Sequence, residues 1–410
     1  MNIFRNKTFG SILLVGGTSI GAGMLALPLT TGAGGFYFSS GLLFLAFAFM
    51  LLSLFFLMEA TLMSGKVSAN LITICRERLG NFGASIAWIS FLMLLYSVAA
   101  AYLSGGGSLI ADVLSAGTGH QISPNIGIFI FLIVFGFIVV FETKAVDAIN
   151  RICMVGLILS FLSLLIFVTP HVSAENYVGG KPKYLWAAIP VVVLSFTSHI
   201  IVPSLRNYLE GDVLKLKRAL LYGSLIPLLF YLVWEFLIIG MLPLSGKYGL
   251  ESIGGGPHPV AGLTEALNAI LGIPWIAIIV GFFSFFALIT SFFGVALSLY
   301  DFLADGFKIK KDIKGRMLLL TLMFVPPLLF SLFFPGGFVL ALGYAGVFVA
   351  VLYGLLPAAM VWRGRYIEKK RGPFRVFGGR LTLLLLLIGS LAIIFFQIAS
   401  TTGYLPTRGS

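Results

Sequence analysis

Residues 10–28 read GSILLVGGTSIGAGMLALP. The flanks are apolar, but the middle, Gly16-Gly17-Thr18-Ser19-Ile20-Gly21-Ala22-Gly23, is a dense run of glycine and small hydroxyl residues, and Pro28 follows it. One glycine pair inside a membrane helix can simply let a neighbouring helix approach. A cluster this dense predicts an interruption instead. At such a break the first N–H groups of the following half-helix are exposed and favour a carboxylate. A second stretch of the same kind lies at 190–203, PVVVLSFTSHIIVP, where Pro190 and Pro203 bracket Ser195-Phe196-Thr197-Ser198-His199. Two prolines around small hydroxyl residues lower helix continuity at mid-depth.

The rest of the chain places these stretches in a bilayer. Of 410 residues 59% are hydrophobic and only 10% charged, with a mean hydropathy of +1.05. A water-soluble domain would need a charged outer shell that this composition cannot supply. The apolar residues fall in blocks at approximately 9–30, 36–58, 83–109, 126–141, 152–168, 184–203, 219–242, 273–299, 317–334, 339–362 and 381–400. Each approaches or exceeds the length needed to cross a hydrocarbon core of about 30 Å. Eleven spans are therefore expected, the fourth and fifth short, the ninth and tenth meeting at Pro335-Gly336-Gly337. Arg5 and Lys7 precede a first block with many membrane-compatible successors, which favours a retained span over a cleaved signal.

The net charge of +12 is confined to connections between blocks, so lipid headgroups explain it better than nucleic acid. With eleven spans, 23 lysines and arginines fall on one side and only Lys181, Lys183, Lys247 and Arg408 on the other. The positive-inside rule then puts the N-terminus in the cytoplasm and the C-terminal tail outside. The two breaks fall in spans one and six, five apart. An odd spacing reverses direction, which predicts a five-plus-five inverted repeat: spans 1–5 in residues 1–169, spans 6–10 in 170–362, and a basic loop with one extra helix in 363–410. The fold expected is an all-α polytopic membrane protein with discontinuous helices one and six.

Few residues offer other chemistry. Cys75 and Cys153 make no disulfide framework or metal motif, and His120, His171, His199 and His258 lie far apart. The loop Gly254-Gly255-Gly256-Pro257-His258-Pro259 lacks the lysine and the strand-to-helix context of a phosphate cradle. No nucleotide site and no cofactor are expected. Polar groups inside the spans carry more weight. His199 either packs a neighbouring helix or senses protons beside the break. Glu235 either lines an outer vestibule or pairs near the interface. Thr290 and Ser291 could hold a sodium ion with carbonyls of span one, or bond to their own preceding turn. Phe196 sits in the second break itself, and Tyr96 and Tyr102 are expected beside the same cavity.

The stretch 10–28, with SFTSHIIVPSL at 195–205 followed by Arg206-Asn207-Tyr208, resembles the first and sixth spans of the hydroxy and aromatic amino acid permeases of the amino acid–polyamine–organocation superfamily, and the tyrosine-carrying members most. The likeness covers essentially the whole chain. It implies a bacterial inner-membrane symporter that imports an aromatic amino acid, coupled to protons in the better-known members. It further implies that N–H groups of Gly21, Ala22 and Gly23 receive the substrate carboxylate. Carbonyls around Ser195, Phe196 and Thr197 would accept the ammonium, with Phe196 as a gate. Coupling then falls to His199 or Glu235, or to sodium at Thr290 and Ser291. The rival classes fit less well: a channel would show filter loops or charged rings, and a membrane enzyme would cluster acid, base or metal ligands. Partners expected are the substrate and the lipid bilayer; the sequence is silent on oligomeric state.

Overall fold

A computed structural model describes residues 7–21, 23–64, 70–141, 143–256, 258–334, 336–370 and 372–405. Arg5, Ala22, Pro257, Pro335 and Arg408, singled out above, lie outside the described residues. Every regular element among the described residues is helical. The chain opens with α1 (Lys7–Ser19) and α2 (Gly23–Thr31), whose axes differ by 53°. Long helices follow: α3 (Phe36–Met63) and α4 (Leu71–Thr118). Next come α5 (Pro124–Phe131), a π-helical turn at Leu132–Gly136, α6 (Phe137–Phe141) and α7 (Thr143–Val168).

The second half begins with two short helices, α8 (Ile189–Ser195) and α9 (Val202–Tyr208), separated by a non-helical stretch and one 3-10 turn at His199–Ile201. Then come α10 (Val213–Met241), α11 (Leu250–Gly255), α12 (Pro259–Leu271), α13 (Pro274–Gly306) and α14 (Ile313–Phe333). The last elements are α15 (Gly337–Val349), a π-helical stretch at Ala350–Leu355, α16 (Leu356–Trp362), a second π turn at Arg363–Ile367, and α17 (Gly379–Thr401).

Among the described residues nine helices are long and apolar enough to cross a membrane, ten if α1 and α2 form one bent span. The remaining expected block, 126–141, is the shorter apolar helix Pro124–Val140. The protein is thus an all-α, multi-span membrane protein. Its outer surface agrees: on α17, Leu384, Ile388, Leu391 and Phe395 are exposed along one face, while Leu383, Leu386, Ser390 and Ile393 are buried on the other. An exposed apolar stripe at helical spacing is what lipid tails require.

Local chemistry fixes the helix ends. Asn70, Asp212 and Asp312 each accept from the backbone N–H three residues on, at 2.9, 3.0 and 2.8 Å, capping α4, α10 and α14. Proline inside α14 has a traceable consequence. Pro326 has no N–H for the Leu322 carbonyl, and the Tyr96 hydroxyl of α4 donates to that carbonyl instead, at 2.7 Å.

The glycine-rich run divides by task. Gly16 lies where a Cβ would come within 2.9 Å of Ile226, and Gly223 where one would meet Val15 at 2.4 Å. These two glycines let α1 and α10 approach closely, the small-residue packing that the bland reading foresaw. The interruption comes later in the run, after Ser19.

Candidate substrate site at two helix ends

α1 stops at Ser19 and α8 at Ser195, and the two ends converge on one side chain. The Tyr231 hydroxyl of α10 lies 2.7 Å from the Ser19 carbonyl and 2.7 Å from the Ser195 carbonyl. A phenol has one proton, so it can satisfy only one of these carbonyls fully at a time. Both carbonyls terminate helices, where the backbone dipoles leave partial negative charge. The region between α1, α8 and Tyr231 is therefore attractive to a cation with several N–H donors, such as an ammonium group.

The opposite polarity lies alongside. Gly23 opens α2, so its N–H has no acceptor within the helix and sits at the positive end of the dipole. A Cβ at Gly21 would come within 2.6 Å of the Ser291 Oγ, and one at Gly23 within 3.0 Å of the Ser195 Oγ. The backbone of the first break is thus pressed against a hydroxyl of α13 on one side and against the second break on the other. Tyr102 of α4 shares a hydrogen bond with the same Ser291. The Ser19 and Thr197 hydroxyls, one in each break, are buried without a hydrogen-bond partner among the described residues. A buried hydroxyl left this way is costly unless a ligand or water completes it.

Phe196 supplies the apolar wall. Its ring packs edge-on against Phe47 of α3 at 6.2 Å and against Tyr231 at 5.3 Å between centroids. The structure therefore brings together Gly21, Gly23, Ser195, Phe196, Tyr102 and Ser291, with Thr197 in the same break.

It puts the other expected residues elsewhere. Tyr96 lies six positions before Tyr102, about 240° around the helix, and is committed to the Leu322 carbonyl. Thr290 donates to Phe286 of its own preceding turn at 2.8 Å. His199 is buried, its Nε2 3.0 Å from the Ser53 Oγ and its ring stacked on Tyr353 at 4.7 Å; the Ser53 hydroxyl in turn donates to the Tyr353 carbonyl. Glu235 is fully buried rather than lining an exposed vestibule, and it accepts from the Thr31 hydroxyl at 2.6 Å. It therefore ties α10 to the far end of α2, one turn beyond Tyr231.

Two features escaped the sequence reading. Tyr231 is one; its only signal was that it shares a helix face with Glu235, four residues on. The other is a knot of charge at the end of α3. Glu59 and Arg365, with side chains 0% and 1% exposed, form a two-pronged ion pair at 2.6 and 2.5 Å. The Val376 N–H donates to Glu59 at 2.7 Å, and Arg365 reaches the Val376 carbonyl at 2.9 Å. Arg206 of α9 donates to the Thr61 carbonyl at 2.6 Å, and Arg78 of α4 to that of Met63. Arg78 also pairs with Glu368 at 2.5 Å, alongside Arg363 and Lys370. Burial pushes the Glu368 carboxyl upward, but bonding and charge from Lys370 and Arg78 outweigh it and leave it below the usual glutamate value. Glu59 was detectable as a carboxylate within an apolar run, FFLMEATLM. Its partner, 306 residues away, was not.

Known proteins are similar in sequence along nearly their whole length. The tyrosine-specific transport system 2 of Haemophilus influenzae is 37% identical over 406 residues, 98% of this chain and 99% of the relative. Transport system 1 of the same organism is 37% identical over 404 residues, with the same coverage. The tryptophan-specific transport protein of Pseudomonas aeruginosa is 33% identical over 410 residues, covering 98% of this chain and 97% of the relative. Residues 4–397 match the tryptophan/tyrosine permease family, and the chain belongs to that family.

Proposed function

We propose that this chain imports an aromatic amino acid, L-tyrosine foremost, across a bacterial inner membrane by proton symport and alternating access. The observation that carries the reading is the single Tyr231 phenol bonded to the terminal carbonyls of both α1 and α8. A zwitterion would bind there with its ammonium toward Ser19, Ser195 and Thr197 and its carboxylate toward the N–H groups of Gly21 and Gly23. The aromatic ring would lie against Phe196 and Tyr102. Helix ends bind both charges without burying an unpaired ion. The 37% relatives carry tyrosine in their names, which supports tyrosine over tryptophan.

In this reading the chain has eleven spans, counting α1–α2 as the first, the short helix Pro124–Val140 as the fourth and α8–α9 as the sixth. Residues 1–169 and 170–362 form inverted units and 363–410 adds the last helix; the N-terminus is cytoplasmic and the tail outside. Glu235 carries the coupling proton, being a buried carboxyl bonded to α2. A sodium-coupled variant has one observation in its favour, the Ser291 hydroxyl set against Gly21.

Uptake of radiolabelled tyrosine into proteoliposomes tests both. An inward proton gradient should drive uptake, with weak competition from tryptophan, and Glu235→Gln should abolish the drive. Sodium-driven uptake would move coupling to Ser291, and equal competition by tryptophan would widen the substrate to aromatic amino acids in general.

A further inference from the structure

α4 is not one straight rod. Gly80 interrupts it with φ 71° and ψ −166°, a backbone state that residues with a Cβ avoid. The kink divides a short amphipathic segment, 71–79, from the span that follows. In the angle between them lies a groove of about 410 Å³, lined among others by Ile72, Arg76, Asn81, Ser85, Trp88 and Ile89.

Neighbouring charges in this segment go to different places. Arg78 turns inward to Glu368 and the Met63 carbonyl, and Glu77 accepts from Ser64 at 2.7 Å. Arg76 is exposed and makes no hydrogen bond or ion pair among the described residues. Asn81 and Ser85, also exposed, likewise have no partner there. One guanidinium and two neutral donors thus line the same groove unpaired. Beside them Trp88 packs on Phe302 of α13 and on Phe307 just past its end, at 5.2 and 5.5 Å. Ile72 and Ile89 complete an apolar wall.

We propose that this elbow is a binding site for an anionic phospholipid. The headgroup phosphate sits on Arg76 with Asn81 and Ser85, Trp88 marks the interfacial level, and an acyl chain follows Ile89 along the span. The chemistry is charge-complementary at the mouth and apolar behind it, an arrangement that suits a lipid better than a soluble anion. The bend at Gly80 creates the angle, and the contacts of Trp88 make occupancy stiffen the joint between α4 and α13. The site is separate from the two helix ends and stands whether or not the transport reading does.

The test is thermal unfolding of the purified full chain in a neutral detergent, with added phosphatidylglycerol, phosphatidylcholine or inorganic phosphate. Phosphatidylglycerol should raise Tm by several degrees, and Arg76→Ala should remove at least half of that shift. Lys310→Ala, which removes an exposed cation outside the groove, should leave the shift intact. The proposal fails if Arg76→Ala and Lys310→Ala respond alike, since the lipid would then act on the basic face at large. It fails also if phosphatidylcholine or phosphate alone reproduces the shift.

Discussion

Two regions of this protein hold helix ends together, and they do so with opposite chemistry. At the end of α3 the fastening is ionic: arginines from α4, α9 and the 363–367 turn reach Glu59, Glu368 and the carbonyls of Thr61 and Met63. At the ends of α1 and α8 the fastening is one phenol, backed by hydroxyls and bare backbone. A fixed ion pair next to the breaks would compete with both ends of a zwitterion and would cost several kcal/mol to part. Partial charges on helix ends attract the same groups and release them at lower cost. The difference teaches that charge has been kept where the structure must hold, and that neutral polarity sits at the two helix ends, where the proposed substrate would come and go.

The largest effect expected is at the neutral region. Gly21→Val puts a branched side chain where even a Cβ lies 2.6 Å from the Ser291 Oγ. Uptake should fall to background while the protein still reaches the membrane and purifies as a single species. Gly17→Ala, four positions earlier with nothing within 4 Å of its Cβ, should transport normally. Equal damage from both would mean that the run is only a packing face.

The ionic region should answer in stability first. Removing Arg365 leaves a buried carboxylate with part of its bonding gone, a loss of about 3–5 kcal/mol for a pair of this kind. Arg365→Met should therefore lower the unfolding temperature sharply. The double variant Glu59→Leu, Arg365→Met should recover much of that loss, because an apolar pair of similar volume can replace a buried ion pair at little cost. A double variant as unstable as the single would mean that the bonds to Val376, rather than the charges, hold the loop.

How far each region could be read from sequence follows from the same contrast. The two stretches are conspicuous in the sequence because glycine and hydroxyl residues stand out against an apolar background, and each is short and local. Which residues close them was not legible. A tyrosine in an apolar block carries no mark of the two carbonyls it will meet. Tyr96 shows the converse: Pro326 makes an unbonded carbonyl at Leu322 predictable, but nothing local says which hydroxyl will reach it. The knot at α3 was invisible for a related reason, since Glu59 and Arg365 meet only after the whole chain has packed.

A smaller, more specific effect is expected at Tyr231. Tyr231→Phe removes one hydrogen bond shared by two carbonyls, worth about 1–1.5 kcal/mol, or roughly tenfold in apparent affinity. The KM for tyrosine should rise by about that factor with little change in maximal rate. A drop in unfolding temperature at unchanged KM would reduce Tyr231 to a packing residue.

The smallest effect belongs to the rim of the ionic region and depends on pH. Glu368 is held below the usual glutamate value despite its partial burial, because Lys370 and Arg78 favour its charged form. A carboxyl with a depressed folded-state value stabilises the protein above its unfolded value, about 4.3, and loses that contribution as pH falls through the lowered folded value. Glu368→Gln should thus lower the unfolding temperature by a few degrees at pH 7. The two proteins should converge as the solution is acidified through that lowered folded value. The side chain is 22% exposed, so solvent screens the pairs and 1 M salt should shrink the difference at pH 7 as well. The Glu59 pair, wholly buried, should keep its effect in the same salt. If salt erased both differences equally, the division between a buried ionic lock and its screened rim would be lost, and the end of α3 would act as one exposed charge cluster.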